Sequence, residues 1–168
     1  MHISKRLTIV ALVAVLGALA FALAARGDGG KGHDAKAGSL RSTLAPSQPT
    51  DPAFHGLPPG GAPWSLQDGS TRLRNNGKFE LQVEGLILTT VGTPGPITGI
   101  AAAVFCGADS TTTPAAVTGI VPLSAEGDAE IEAHLSLPST CLVPVVLVQP
   151  ARGTTLLSAY IAIEGFRP

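Results

Sequence analysis

The chain has 168 residues, 45% of them apolar but only 4% aromatic, and a formal net charge of −1. That length holds one ordinary domain, and the near-neutral balance argues against a nucleic-acid partner, because phosphate binding needs a basic face. Twenty glycines and fourteen prolines favour many turns over long helices.

The N-terminus reads as a targeting segment over residues 1–25. Lys5 and Arg6 precede Leu7–Ala25, an uncharged run of 19 residues rich in Ala, Leu and Val. Ala22-Leu23-Ala24 fits the small-x-small cleavage rule, with Ala25 as the first mature residue. The competing reading is an uncleaved signal anchor, since 19 helical residues span about 28 Å, close to the ~30 Å hydrocarbon core. In that form this segment is the only expected membrane contact. No cysteine stands directly after the run, which excludes a lipoprotein anchor. Either way the remainder is expected to be secreted or extracytoplasmic.

Residues 26–63 hold eight glycines and six prolines among short polar residues, a composition expected to form a disordered linker. Gly27-Asp28-Gly29-Gly30-Lys31-Gly32 has the look of a phosphate loop. The spacing fails, because His33 stands where the lysine should be and no strand precedes it. Phe54, Leu57 and Trp64 are the sizeable apolar groups near the end of this stretch, and they suggest that order begins slightly before Trp64. The predicted domain, residues 64–168, carries five basic and nine acidic residues, a net −4 that favours solubility and names no partner.

Within it the period switches to two. Arg74-Asn75-Asn76-Gly77 is a hairpin signal, preceded by Thr71–Leu73 and followed by Phe79, Leu81 and Val83 alternating with charged or polar neighbours. Gly85 predicts a bulge or bend before Leu86–Leu88. Ile97–Cys106 is a strand apolar on both faces. Ala115–Val121 and Leu123–Ala125 read as one strand broken at Pro122. Ala129, Ile131, Ala133, Leu135 and Leu137 point inward from a second amphipathic strand, with Glu130, Glu132 and His134 outward. Leu142–Gln149 is almost wholly apolar, and Pro144 means that its strand begins at Val145 or lies on an edge. Pro150–Thr154 reads as a turn and Leu156–Phe166 as the closing strand. The sum is an all-β fold: an antiparallel, Greek-key sandwich of about seven strands, preceded by a signal helix and a disordered tail.

Cys106 and Cys141 are the only cysteines, and export permits them to form a disulfide. There is no Cys-x-x-Cys, so the pair is read as structural rather than redox-active. Asp128, Glu130 and Glu132 stand about 7 Å apart along a strand, so a calcium site needs a neighbouring loop such as Asp109 to converge on them. No histidine pair has metal-ligand spacing, and no Gly-x-Ser-x-Gly or His-Glu-x-x-His is present. No catalytic, metal or cofactor residue is therefore assigned. Leu86–Leu88, Ala101–Phe105 and Leu142–Val148 are apolar on both faces. A bare outer face there would be an association surface, with Phe105, Leu142 and Tyr160 as its candidate residues and Tyr160 expected to be exposed. The competing reading is that a strand, or the stretch Phe54–Trp64, covers it.

The run Thr71–Leu88, a central cysteine after an apolar strand, the Gly127-Asp128-Ala129-Glu130-Ile131-Glu132 strand, a second cysteine and the closing Gly165-Phe166 together resemble small secreted proteins of uncharacterised role from high-GC bacteria. The resemblance spans residues 70–166 and implies export and a shared β-sandwich fold, with no activity attached. The expected function is a non-catalytic, exported domain that binds a cell-envelope component or itself. The alternative is a secreted hydrolase or a calcium-dependent sandwich using Asp128, Glu130 and Asp109.

Overall fold

The structure, a computed structural model, describes residues 38–167. The predicted signal helix and the first part of the predicted tail lie outside the described residues. Twelve strands follow in chain order among the described residues: β1 Ser39–Pro46, β2 Trp64–Ser65, β3 Asp68–Arg74, β4 Lys78–Glu84, β5 Ile87–Leu88, β6 Gly99–Phe105, β7 Ala116–Val117, β8 Val121–Pro122, β9 Ala129–His134, β10 Val145–Arg152, β11 Thr155–Leu156 and β12 Ala162–Glu164. No helix occurs among the described residues. The main sheet runs β7–β6–β10–β12–β1–β3–β4–β9, with β8 also on β6 and β11 on β10, and every ladder is antiparallel. The sheet curls, so that β8 and β6 approach β9 from the other end of the order.

The alternating strands form as their patterns dictate. The β3–β4 hairpin closes at Gly77 with φ +85°, where a side chain would strike the Leu135 carbonyl. Its register sets Phe79 opposite Leu73 on one side and Ala133 on the other, and Leu81 opposite Thr71 and Ile131. Phe79, Leu81, Val83 and Ile131 are buried. Across the curl they meet Ile100, Val104, Val146 and Val148 in one core. Burial of each such side chain contributes about 1.5–3 kcal/mol. The predicted bend at Gly85 is present, with φ +66°, and Asp128 Oδ1 accepts its N–H at 2.9 Å.

Four expectations are corrected. The first concerns residues 38–63, which are ordered rather than a linker. Leu40 and Leu44 of β1 pack on the core while Ser39, Arg41 and Thr43 alternate with them. The N-terminal part of β1 pairs with β3, from Ser39↔Arg74 to Thr43↔Ser70, and its C-terminal part pairs with β12, from Leu44↔Glu164 to Pro46↔Ala162. Glycine and proline lie mostly to either side of this strand, so the composition of the whole stretch conceals it. The second concerns Pro150, which is not in a turn. β10 continues through it to Arg152. The Pro150 carbonyl accepts Leu157 N–H, so the missing proline donor faces away from β6 and costs that ladder nothing. The third concerns the closing strand, which divides into β11 and β12, and the fourth the broken strand, which divides at Thr118–Ile120 rather than at Pro122.

Where β1 changes partner, Glu164 ties the elements together. Its Oε1 accepts Thr71 Oγ1–H at 2.7 Å and its Oε2 accepts Val146 N–H at 3.2 Å, linking β12 to β3 and β10. Burial raises the Glu164 carboxyl above the ordinary range, opposed by those two hydrogen bonds. A raised folded-state pKa means that the folded chain binds this proton more tightly than the unfolded chain. The resulting stabilisation is complete below the ordinary glutamate range and is lost as pH rises through the raised value. Urea unfolding from about pH 4 to about pH 8 is expected to show the parent chain losing stability relative to Glu164→Gln as pH rises. A pH-independent difference would contradict this assignment.

Candidate functional site

The face opposite the core on β6 and β10 is where the sequence places an association surface. The structure covers it. Residues 47–63 cross it as a strap, held by Gly60 N–H to the Tyr160 carbonyl at 2.7 Å and Tyr160 N–H to the Pro58 carbonyl at 2.9 Å. Ala103, Phe105, Leu147 and Tyr160 form a second core with Phe54 and Leu57 from the strap. The His55 ring stacks on Phe105 at 4.4 Å between centroids. His55 itself sits at φ +50°, with its N–H donated to Asp109 Oδ1 at 2.6 Å and Nδ1 2.8 Å from the Thr111 carbonyl oxygen. The small alanines of β6 let this strap lie close to the sheet, which is why Gly99–Phe105 is buried along its whole length on both faces.

Phe105 and Tyr160 are therefore corrected from surface residues to core. Tyr160 points away from Ile161, as alternation requires, but Phe54 meets it edge-on at 5.8 Å and its hydroxyl donates to the Pro52 carbonyl at 2.8 Å. Leu142 alone of the three candidates is exposed, at 67%. The three do not form one surface.

The carboxylates do not converge either. Asp109 serves the strap, Asp128 serves Gly85, and Glu130 lies on the outer face of β9 opposite Gln82. No group of three or more His, Cys, Asp or Glu side chains among the described residues is placed to hold a metal ion. Glu80, at the centre of this face, collects Lys78 Nζ at 2.6 Å, Arg74 at 3.7 Å and Arg72 at 4.0 Å. The Lys78 hydrogen bond, with the field of the three cations, holds Glu80 below the usual carboxylate range. This is a solvated, internally paired face.

The cysteines do pair: Cys106 and Cys141 are bonded with Cα atoms 5.0 Å apart, joining the end of β6 to the turn before β10. At this end, where the described chain begins, lies a cleft of about 390 Å³ lined by Gly38, Ser39, Leu40, Leu73, Arg74, Asn75, Leu137, Pro138, Ser139, Cys141 and Pro144. Beside it Leu142 and Val143 project into solvent, Val143 at 71% exposure. Val143 has φ +48°, a conformation that a β-branched residue rarely adopts and that costs about 1–3 kcal/mol. The lining holds no histidine or carboxylate, so it offers apolar contact, two hydroxyls, one carboxamide and one guanidinium rather than acid–base chemistry. Sequence reasoning found Leu142 but missed Val143 and the cleft. The signal available was two large aliphatic residues set between a cysteine and a proline in a turn.

Two measurements check these assignments. Tyr160 is the only tyrosine, and its phenol is pushed up to about 12 by burial and by the Asp51 carboxylate, opposed by Arg167. Its absorbance titration is expected to stay silent through about pH 10 in the folded chain and to move to the ordinary value, about 10, on unfolding. Stability from this group is present below about pH 10 and is lost as pH climbs through about 12. Replacing both cysteines by alanine frees a loop closed across a sequence separation of 35 and is expected to lower unfolding free energy by roughly 4 kcal/mol in a urea series.

No family model, no curated protein and no solved structure matches this chain.

Proposed function

We propose that the chain is an exported all-β module, its curled sheet built as a Greek-key sandwich, that binds or self-associates at the cell envelope rather than catalysing a reaction. The observation that carries the reading is the disulfide end of the domain. An apolar cleft and the exposed Leu142–Val143 pair stand together there, with no nucleophile–base pair in the lining. Export is supported by the charged and apolar N-terminal residues and by the Cys106–Cys141 bond, which fits an extracytoplasmic protein. Among the described residues no helix is long and apolar enough to cross a membrane. The resemblance to small secreted proteins of high-GC bacteria belongs to the same proposal.

The test is fractionation of the full chain expressed in a bacterium, followed by sedimentation of the purified protein alone and with washed envelopes. The expected result is an oxidised cysteine pair and association with envelopes or with itself. Leu142→Asp combined with Val143→Asp is expected to weaken that association more than tenfold, since each side chain withdrawn from an apolar contact is worth about 1 kcal/mol or more. A cytoplasmic, reduced protein, or one that stays monomeric at high concentration and ignores envelopes, would overturn the reading.

A further inference from the structure

We propose that the disulfide end of the domain docks on a lipid bilayer, with Leu142 and Val143 as the inserting side chains. The inference rests on the envelope reading and names its partner. Two observations support it. The first is shape: two adjacent aliphatic side chains, 67% and 71% exposed, project from one turn. That is far less than the ~800 Å² per partner that a stable protein interface needs, but it suits insertion into a fluid interface, as apolar side chains of peripheral proteins do. The turn holds Val143 in a strained left-handed conformation between Cys141 and Pro144, so the projection is imposed by the fold.

The second is connection. Gly38, Ser39 and Leu40 line the cleft beside this turn, so the chain enters the domain at the same end. Twelve residues separate Gly38 from Ala25, the end of the apolar run, and they reach at most about 45 Å when fully extended. With the run retained in a bilayer, the tether keeps this end near the membrane at high effective concentration, which makes a weak two-residue contact sufficient.

The experiment uses the full chain reconstituted into vesicles of phosphatidylethanolamine and phosphatidylglycerol carrying brominated acyl chains. Leu142→Trp reports the proposed tip. Val91→Trp, at a position 60% exposed on the loop beyond the far end of β4, reports the opposite end. The emission of Trp64, which is buried, is subtracted using the parent chain. The expected result is co-flotation with vesicles and several-fold stronger quenching at position 142 than at position 91. Co-flotation with equal quenching at the two positions overturns the docking while leaving the envelope reading intact. Failure to float overturns docking and membrane retention together. A blue shift at position 142 that grows with protein concentration without lipid assigns the tip to a second copy of the chain and overturns the bilayer as partner.

Discussion

The fold depends on one strand that serves two ladders. β1 gives its first five residues to β3 and its last three to β12. Without it, the order falls into β7–β6–β10–β12 and β3–β4–β9, each with a new unpaired edge. The exchange of partners falls between Thr43 and Leu44, and that is where Glu164 reaches across to Thr71 and Val146. A buried carboxylate is costly unless its oxygens are satisfied, and here both oxygens accept a hydrogen bond. The polar contact sits at the one place where continuous ladder pairing is handed from one neighbour to another.

The second constraint follows from β6 and β10. Strands apolar on both faces need cover on both faces, and the curl supplies only one. The strap at residues 47–63 supplies the other, and it does so with irregular backbone whose polar groups are met by the Tyr160 loop rather than by a regular ladder. Tyr160 is central to that arrangement. Its ring closes the second core while its hydroxyl satisfies the Pro52 carbonyl, so a single side chain meets both the apolar and the polar demand of the strap. Asp51, next to Pro52, is in turn paired with Arg167 near the C-terminus.

How much of this was legible depends on which signal each element carries. β4 and β9 alternate over six or seven residues with charges on one face, and their extent and orientation follow from the sequence. The cysteine pair followed from export chemistry. β1 carries only Leu40 and Leu44 at core spacing, with Ser42 between them, so its period is nearly silent and its neighbours' glycines and prolines dominate. The strap has no period at all, and its role exists only because Phe105 and Tyr160 need a lid. Period-two reasoning placed Tyr160 on the correct face. It erred about what lies beyond that face, because alternation reports direction and not coverage. The cleft was illegible for a related reason: it draws its walls from Leu40, Leu73, Leu137 and Pro144, which are far apart in sequence and share no motif.

The same chain that covers Phe105, Leu147 and Tyr160 leaves Leu142 and Val143 bare, and the contrast is informative. Covering the two-faced strands takes a strap of some seventeen residues and the ordering entropy that goes with it. Avoiding exposure of Leu142 and Val143 takes far less, since polar residues at the two positions would remove the exposed apolar surface without touching the core. The left-handed backbone at Val143 adds a cost that glycine or asparagine would avoid. Folding alone therefore gives no reason for an aliphatic pair at this turn: it adds strain to the folded chain and exposes apolar area to water. The proposed contact outside the chain would give a reason, and the turn lies beside Gly38, fixed to β6 by the disulfide, at the end where the described chain begins.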